Sequence, residues 1–280
     1  MMITFGPGGN SASWGKRKFP ADLPQYLKEL GLNGYEIECG RGVRISEATV
    51  RGLPKLAEEN GIYVTLHAPY FISLSSVEEE KRLNSVNYIL ESAKAAKSVG
   101  ARKIVVHSGS CSKMSRAEAT YLAKQTLGLA QKALDDNGLS DIIICPETMG
   151  KINQLGTLEE VLELCGVDER FLPTVDFGHL NARTLGGIKT RDDYAKMLDL
   201  IENEIGHERL SNMHVHFSKI EYTAGGEKRH LTFEDDRYGP RYEPLMEEFH
   251  KRNLQPSIIC ESDGTQAEDA AEMKKYYESL

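Results

Sequence analysis

The sequence alternates short apolar runs with longer amphipathic runs eight times along its length. The short runs are rich in Val and Ile on both faces, which is typical of strands that are covered on both sides of a sheet. The longer runs repeat apolar residues at helical spacing, and several are followed by a glycine. We predict strands at 2–6, 34–39, 63–68, 103–108, 142–147, 173–178, 212–217 and 257–262. We predict helices at 23–30, 46–61, 78–100, 116–138, 157–166, 192–206, 243–253 and 267–280.

Eight strand–helix units in a row predict an α/β protein with the architecture of a single (β/α)₈ TIM barrel. The length of 280 residues suits one such barrel, so we expect residues 1–280 to form one domain. The alternative is an open doubly wound sheet, which usually has fewer strands.

Composition narrows the classes of function. No apolar run approaches the ~20 residues of a membrane span, and MMITFGPGGN at the start lacks the pattern of a signal peptide. The five cysteines form no CxxC pair, which indicates buried free thiols in a reducing cytoplasm. A formal charge of −8 argues against a generic nucleic-acid coat. We therefore expect a cytoplasmic protein, with no membrane contact and no protein partner implied.

Ionisable side chains stand at or near the ends of six predicted strands. In a (β/α)₈ barrel these ends meet at one face, where active sites are built. Each residue alone has a structural explanation, such as a helix cap or a hydrogen-bonded histidine, but independent accidents should not place so many at the same end. The residues are His67, His107, Glu147, Asp176, His214 and Glu261, with His179 in the loop after Asp176.

The mixture of side chains predicts a metal centre. Imidazole nitrogens and carboxylate oxygens together suit Zn²⁺ or Mn²⁺, and a carboxylate can bridge two ions. Without cations, clustered carboxylates would repel each other and take up protons. The candidate ligands exceed what one ion needs, so we predict two or three ions. Closely spaced ions can activate water and stabilise the oxygens of a phosphoryl transfer.

Two further segments have structural interpretations. His216, two residues after His214 on the same strand face, is interpreted as a packed neighbour. The stretch TAGGEKRH (223–230) is interpreted as a mobile lid or connection in which Gly225 and Gly226 form the turn.

Six motifs in this order resemble the endonuclease IV family of apurinic/apyrimidinic endonucleases, within the xylose-isomerase-like superfamily. The resemblance spans nearly the whole chain. It implies a zinc-dependent phosphodiesterase that cleaves double-stranded DNA 5′ to abasic sites in base-excision repair. The motifs are LHAPYFISLSS (66–76), VVHSGS (105–110), PETMGKINQLGTLEEV (146–161), TVDFGHLNAR (174–183), MHVHFSK (213–219) and ICESDG (259–264).

The resemblance also implies roles for individual residues. Glu147 and Glu261 would be the catalytic residues, acting chiefly as metal ligands. DNA would be contacted by Tyr70 and Phe71 and, from the second loop, by Arg41. The implied ligands are His67, His107 and Glu147 for the first ion, Glu147, Asp176, His214 and Glu261 for the second, and His179 and His230 for the third.

One departure from the family pattern affects the third ion. The family has an Asp-x-His motif, whereas this chain has Lys228 at the aspartate position, two residues before His230. Lysine cannot replace a carboxylate ligand unless it is deprotonated. The third ion is therefore expected to be weak, differently ligated or missing, with Glu227 and His216 as the alternative donors.

Two other functions remain open from the sequence. The first is a sugar isomerase or epimerase of the same superfamily, in which one divalent ion binds a polyol and Glu147 and Glu261 shuttle a proton. The second is a non-catalytic protein that binds abasic DNA without turnover.

Overall fold

Eight parallel strands form the central sheet of the computed structural model, which describes residues 2–280. Around the sheet, each strand pairs with the next, and a parallel bridge between Gly8 and Glu36 closes the circle. The predicted (β/α)₈ barrel is confirmed. The barrel strands are β1 (Thr4–Pro7), β2 (Gly34–Glu38), β3 (Tyr63–His67), β4 (Lys103–His107), β5 (Ile143–Glu147), β6 (Thr174–Asp176), β7 (His214–Phe217) and β10 (Ser257–Cys260).

Helices cover the outside of the barrel, and all eight predicted helices are present with ends that shift by at most three residues. Two short helices were not predicted, α6 and α8. The helices are α1 (Leu23–Glu29), α2 (Glu47–Asn60), α3 (Glu79–Ser98), α4 (Arg116–Asp136), α5 (Leu158–Cys165), α6 (Phe177–Arg183), α7 (Arg191–Ile205), α8 (His207–Ser211), α9 (Glu243–Arg252) and α10 (Gln266–Tyr277).

Capping residues fix where several helices begin and end. Thr157 and Glu160 form the capping box at the start of α5. Asp176 caps α6, because its Oδ1 accepts a hydrogen bond of 2.8 Å from the backbone N–H of His179. The predicted strand 173–178 therefore ends at Asp176, and His179 lies in a helix rather than in a loop.

An antiparallel hairpin follows β7, with strands β8 (Lys219–Thr223) and β9 (Gly226–Leu231). It occupies the segment that we interpreted as a mobile lid or connection, so that prediction missed a regular element. Backbone hydrogen bonds join its tip to the loop after β5, from Glu227 to Gly150 and from Ile152 to Gly225. The hairpin is thereby held against the carboxyl-terminal face of the barrel.

The chain buries its thiols and has no membrane-type helix. All five cysteines are buried and unpaired, as predicted. Among the described residues, no helix combines the length and the hydropathy that crossing a bilayer requires.

The closure between β1 and β2 requires a glycine at position 6. A Cβ at Gly6 would lie 2.0 Å from the carbonyl oxygen of Gly34 on β2. We expect Gly6→Ala to lower the free energy of unfolding by about 3 kcal/mol because the two backbones must separate. Gly128→Ala is the matched control, since its Cβ would meet its nearest neighbour at 3.9 Å. Within a helix it should stabilise by about 0.5–1 kcal/mol. Urea unfolding compares the two, and equal effects would contradict the prediction.

Candidate metal centre

The predicted strand-end residues meet at the carboxyl-terminal face, as the barrel requires. His67, His107, Glu147 and Asp176 are the last residues of β3 to β6, and Glu261 follows β10 directly. All of them except Asp176 line a cavity of about 400 Å³. The cavity is lined by His67, Tyr70, His107, Glu147, Met149, Lys151, Gln154, His179, Glu227, His230 and Glu261.

Glu147 lies at the centre of the donor atoms. Its Oε2 is 3.2 Å from His107 Nε2 and 3.5 Å from His67 Nε2. Its Oε1 is 3.0 Å from His216 Nδ1 and 3.6 Å from His179 Nδ1. The two oxygens thus face different sets of histidines, which is the arrangement of a carboxylate that can bridge two cations.

His216, not His214, joins the second group of donors. The register of β6 and β7 sets Asp176 opposite His216, and Thr174 opposite His214. His216 Nδ1 is 3.4 Å from Glu261 Oε2 and belongs to a group with Glu147, Asp176 and Glu261 whose donor atoms lie within 4.8 Å of one another.

His214 points to a deeper layer of the barrel, so the assignment of His214 to the second ion is corrected. Its Nε2 is 3.0 Å from Glu36 Oε2, and its Nδ1 is 2.8 Å from Ser257 Oγ. Two residues along a strand correspond to about 6.6 Å, which separates the rim from this layer. His214 and His216 are two residues apart on β7, so their side chains point to the same side of the strand. Only the pairing of β7 with β6 shows which of the two lies beside Asp176.

A third group combines His179 with two residues of the hairpin, Glu227 and His230. His179 Nε2 is 3.5 Å from Glu227 Oε2, and the rings of His179 and His230 are 5.5 Å apart. Glu227 thus places a carboxylate beside His179 and His230, although the chain has Lys228 at the aspartate position of the family motif.

A β-bulge at Lys228 makes this possible. Across the hairpin, Glu221 pairs with Arg229 and Tyr222 pairs with Glu227, so Lys228 has no opposite residue. In a regular strand, residues three apart point to opposite faces, and one extra residue brings them to the same face. Glu227 and His230 consequently face the cavity together.

The side chains of the bulge point away from the cavity. Lys228 Nζ and Arg229 Nε bind Glu221 at 2.6 and 2.7 Å on the exposed face of the hairpin. Lys228 therefore contributes no ligand atom to the group of His179, Glu227 and His230, because its ammonium lies outside this group.

Two glycines let the hairpin approach the site. A Cβ at Gly226 would lie 2.3 Å from the carbonyl oxygen of Gly150, and the φ of Gly226 is +90°. A Cβ at Gly150 would lie 2.6 Å from Glu227 Cβ. Any larger residue at either position would push Glu227 away from His179.

Burial and charge oppose each other throughout the cluster. Burial alone lowers the pKa of His67, but the carboxylates around it, Glu147 first, outweigh burial and raise that pKa to about 10. The same opposition, with Asp176 as the first carboxylate, raises the pKa of His179 to about 9. Burial raises the pKa of Glu261 to about 8. The raised pKa values of His67 and His179 show that the carboxylates favour positive charge at these positions.

Two buried carboxylate oxygens show that the donors fit divalent cations. Glu147 Oε2 and Asp176 Oδ2 are buried and have histidine nitrogens at 3.2 and 3.1 Å, but within the described residues none of these contacts has the geometry of a hydrogen bond. Buried polar atoms are rarely left without a partner. Carboxylate oxygens beside imidazole nitrogens are the donor set that Zn²⁺ and Mn²⁺ prefer.

The residues predicted to contact DNA lie on exposed loops at the same face. Tyr70 and Phe71, after β3, are 54% and 50% exposed. The Tyr70 ring stacks on His107 with a centroid distance of 5.2 Å. Arg41, in the loop after β2, is exposed. Of the three, Tyr70 lines the cavity, whereas Phe71 packs on Tyr88 at a ring-centroid distance of 4.7 Å.

The fold and the donor cluster together define a (β/α)₈ barrel with a candidate metal centre at its carboxyl-terminal face. Residues 24–279 match the model of the xylose isomerase-like TIM barrel family, and the chain belongs to this family.

Relatives of the chain carry two kinds of description. An uncharacterized protein of Methanocaldococcus jannaschii is 33% identical over 280 residues, which is 99% of this chain and 98% of its own length. A probable endonuclease 4 of Acholeplasma laidlawii is 30% identical over 179 residues, which is 62% of this chain and 60% of its own length.

Solved structures share the fold across almost the whole chain. A D-tagatose 3-epimerase-like protein has a TM-score of 0.73 at 20% identity and covers 99% of this chain and 97% of its own. Endonuclease IV from Thermus thermophilus has a TM-score of 0.68 at 21% identity and covers 99% of this chain and 100% of its own. At these identities the likeness is one of fold.

The bulge generates a test of the third group. We expect Glu227→Gln to lower the zinc content of purified protein, because the amide removes the only carboxylate of that group. Lys228→Ala should leave the content unchanged. Deleting Lys228 converts Glu-x-x-His into Glu-x-His in a regular strand, which keeps both donors on one face, so zinc should again be retained. Elemental analysis after dialysis measures all three. Loss of zinc in Lys228→Ala would contradict this account.

Proposed function

We propose that the protein is a zinc-dependent phosphodiesterase of the endonuclease IV kind, which cleaves DNA on the 5′ side of abasic sites. The observation that carries this proposal is the surplus of donors, more than one ion can use, in three groups of which two share Glu147. The donors are His67, His107, Glu147, Asp176, His179, His216, Glu227, His230 and Glu261.

Each group would hold one cation, either Zn²⁺ or Mn²⁺. His67 and His107 would bind the first with Glu147, which would also contribute to the second. When bound, such ions supply Lewis acidity, activate water and stabilise the entering and leaving oxygens of a phosphodiester. The full groups are His67, His107 and Glu147; Glu147, Asp176, His216 and Glu261; and His179, Glu227 and His230.

The chain's own residues would orient the DNA over this cavity. Lys151 is an exposed cation that lines the cavity, where a phosphate would approach. Tyr70 lines the cavity and Phe71 follows it on the same loop, and both rings are exposed and suited to insertion between bases or into the gap at an abasic site. The relative described as a probable endonuclease 4 supports a nuclease function.

A sugar isomerase or epimerase is the second candidate, and one observation favours it. Glu147 and Glu261 both reach His216 Nδ1, at 3.0 and 3.4 Å, so two carboxylates face one site as a proton shuttle would require. This function needs one ion and would not use His179, Glu227 and His230 as ligands. The ion count therefore separates the two candidates.

Cleavage of an abasic duplex tests the main proposal. We expect zinc-loaded protein to nick a duplex 5′ to a single abasic site, and EDTA to abolish the nicking. His67→Ala should lower the rate by at least about 10²-fold because it removes a cation ligand. Lys124→Ala, in an exposed pair with Glu163 on helices outside the cavity, is the control and should keep full activity. Gel analysis of a labelled strand gives the rate.

Three results would count against the proposal. An uncut duplex, with one ion per chain and epimerisation of a ketose, would support the second candidate. Tight, salt-sensitive binding of the duplex without a nick would indicate a non-catalytic binder. Equal nicking with and without EDTA would point to a contaminant.

The exposed rings generate a separate prediction about binding. We expect Phe71→Ala to weaken binding of abasic duplex by about 1–3 kcal/mol because a stacked ring is lost. Tyr121→Ala is the control, since Tyr121 is 62% exposed on α4, away from the cavity. Fluorescence anisotropy at fixed salt compares the two variants. Equal losses would show that Phe71 does not contact the DNA.

A further inference from the structure

A chain of buried polar side chains runs through the barrel interior beneath the metal centre, and the proposed reaction does not use it. Its members come from β2, β3, β4, β7 and β10 and are nearly inaccessible to solvent. Buried polar groups of this kind are stable only when their hydrogen bonds are satisfied. The chain consists of Glu36, Thr65, Lys103, His214 and Ser257, and it ends at His216.

The hydrogen bonds begin at Lys103. Its Nζ donates to Ser257 Oγ at 2.9 Å and to the carbonyl oxygen of Asn212 at 2.7 Å. An ammonium can only donate, so the Ser257 oxygen accepts and its own hydrogen is left for His214 Nδ1 at 2.8 Å. This arrangement leaves the hydrogen of a neutral His214 on Nε2.

Glu36 receives the hydrogen bonds from the other side. Its Oε2 accepts from Thr65 Oγ1 at 2.7 Å and lies 3.0 Å from His214 Nε2. Its Oε1 lies 2.7 Å from His216 Nε2. A carboxylate only accepts, so both histidines place their hydrogen on Nε2. The two ends of the chain therefore require the same tautomer of His214.

The hydrogen on Nε2 of His216 determines the state of its other ring nitrogen, Nδ1. With the hydrogen on Nε2, a neutral ring has its lone pair on Nδ1. That atom faces Glu147 Oε1 at 3.0 Å and Glu261 Oε2 at 3.4 Å, which have no hydrogen to donate when ionised. A lone pair opposite two carboxylate oxygens is unfavourable, and the conflict is removed either by a proton on one of these atoms or by a cation bound among the three.

We infer that Glu36 is a positioning residue, held by His214, Ser257 and Lys103, which fixes the tautomer of His216 and presents Nδ1 as its cation-binding atom. Carboxylates that accept from the distal nitrogen of a ligating histidine orient the ring and raise its affinity for metal. The inference rests on the metal centre of the proposed function and is independent of which substrate the centre acts on.

Glu36→Gln tests the inference because it keeps the shape of the side chain but lets only one of its two polar atoms accept. We expect the affinity of the His216 group for Zn²⁺ to fall by about 10–100-fold in titrations with a competing chelator. Long-range ¹⁵N–¹H spectra of histidine-labelled, zinc-loaded protein should show His216 bound through Nδ1 in the unmodified protein. In the variant this signal should weaken or be replaced by that of Nδ1–H.

Two further variants separate positioning from stability. Ser257→Ala interrupts the chain between Lys103 and His214, and it should lower the affinity in the same direction but less. Glu248→Gln is the matched control, because Glu248 is 2% exposed on α9 and binds Arg191 and Arg252 outside the barrel. It should change unfolding but not zinc affinity. If Glu36→Gln does not fold, Ser257→Ala decides the question.

The outcomes distinguish this inference from the proposed function. If the unmodified protein binds no cation at His216, the metal centre itself is wrong. If it binds zinc there, but Glu36→Gln and Ser257→Ala keep the same affinity and the same His216 signals, the positioning role is overturned while the centre stands.

Discussion

The parallel register around the barrel is the constraint on which the candidate site depends. Each inward-facing side chain has a fixed height, so His107 lies opposite Glu147, and Asp176 lies opposite His216. Because side chains alternate between the two faces of a strand, a slip of one residue would turn any of these donors into the helical layer. The close approach of β1 and β2 at Gly6 and Gly34 helps to close the barrel in this register.

The register also places charged side chains in successive layers inside the barrel, where positive and negative charges must neutralise one another. Glu147 at the rim and Glu36 one layer below are both buried, and isolated carboxylates would be strongly destabilising there. His216 lies between them and contacts both. Lys103 supplies positive charge at the far end of the chain. Bound cations would complete the balance at the rim, where two carboxylate oxygens accept no hydrogen bond.

The sequence predicted those features that depend on local patterns. Strand ends, helix caps and the convergence of His67, His107 and Glu147 follow from periodicity and barrel geometry. The choice between His214 and His216 did not, because both have the same direction on one strand and the pairing partner lies far away in sequence. The sequence offered Glu227 only as an alternative donor, because the bulge that turns it toward the cavity leaves no local signal in the sequence. Glu36 was missed for a related reason: in GYEIEC its inward direction appears only once the strand register is known.

The hairpin is the part of the fold that bears on the choice between the two candidate functions, phosphodiesterase and epimerase. The group of Glu147, Asp176, His216 and Glu261 would serve one ion in either a phosphodiesterase or an epimerase. The group of His179, Glu227 and His230 exists only because the bulge at Lys228 and the two close glycines bring the hairpin to the cavity. The extra cation ligands that the hairpin positions are unnecessary for moving a proton on a sugar. Such donors suit the phosphodiesterase that we propose, because bound cations would attract a polyanion to a chain whose formal net charge is −8. The hairpin is thus the element whose geometry favours the phosphodiesterase.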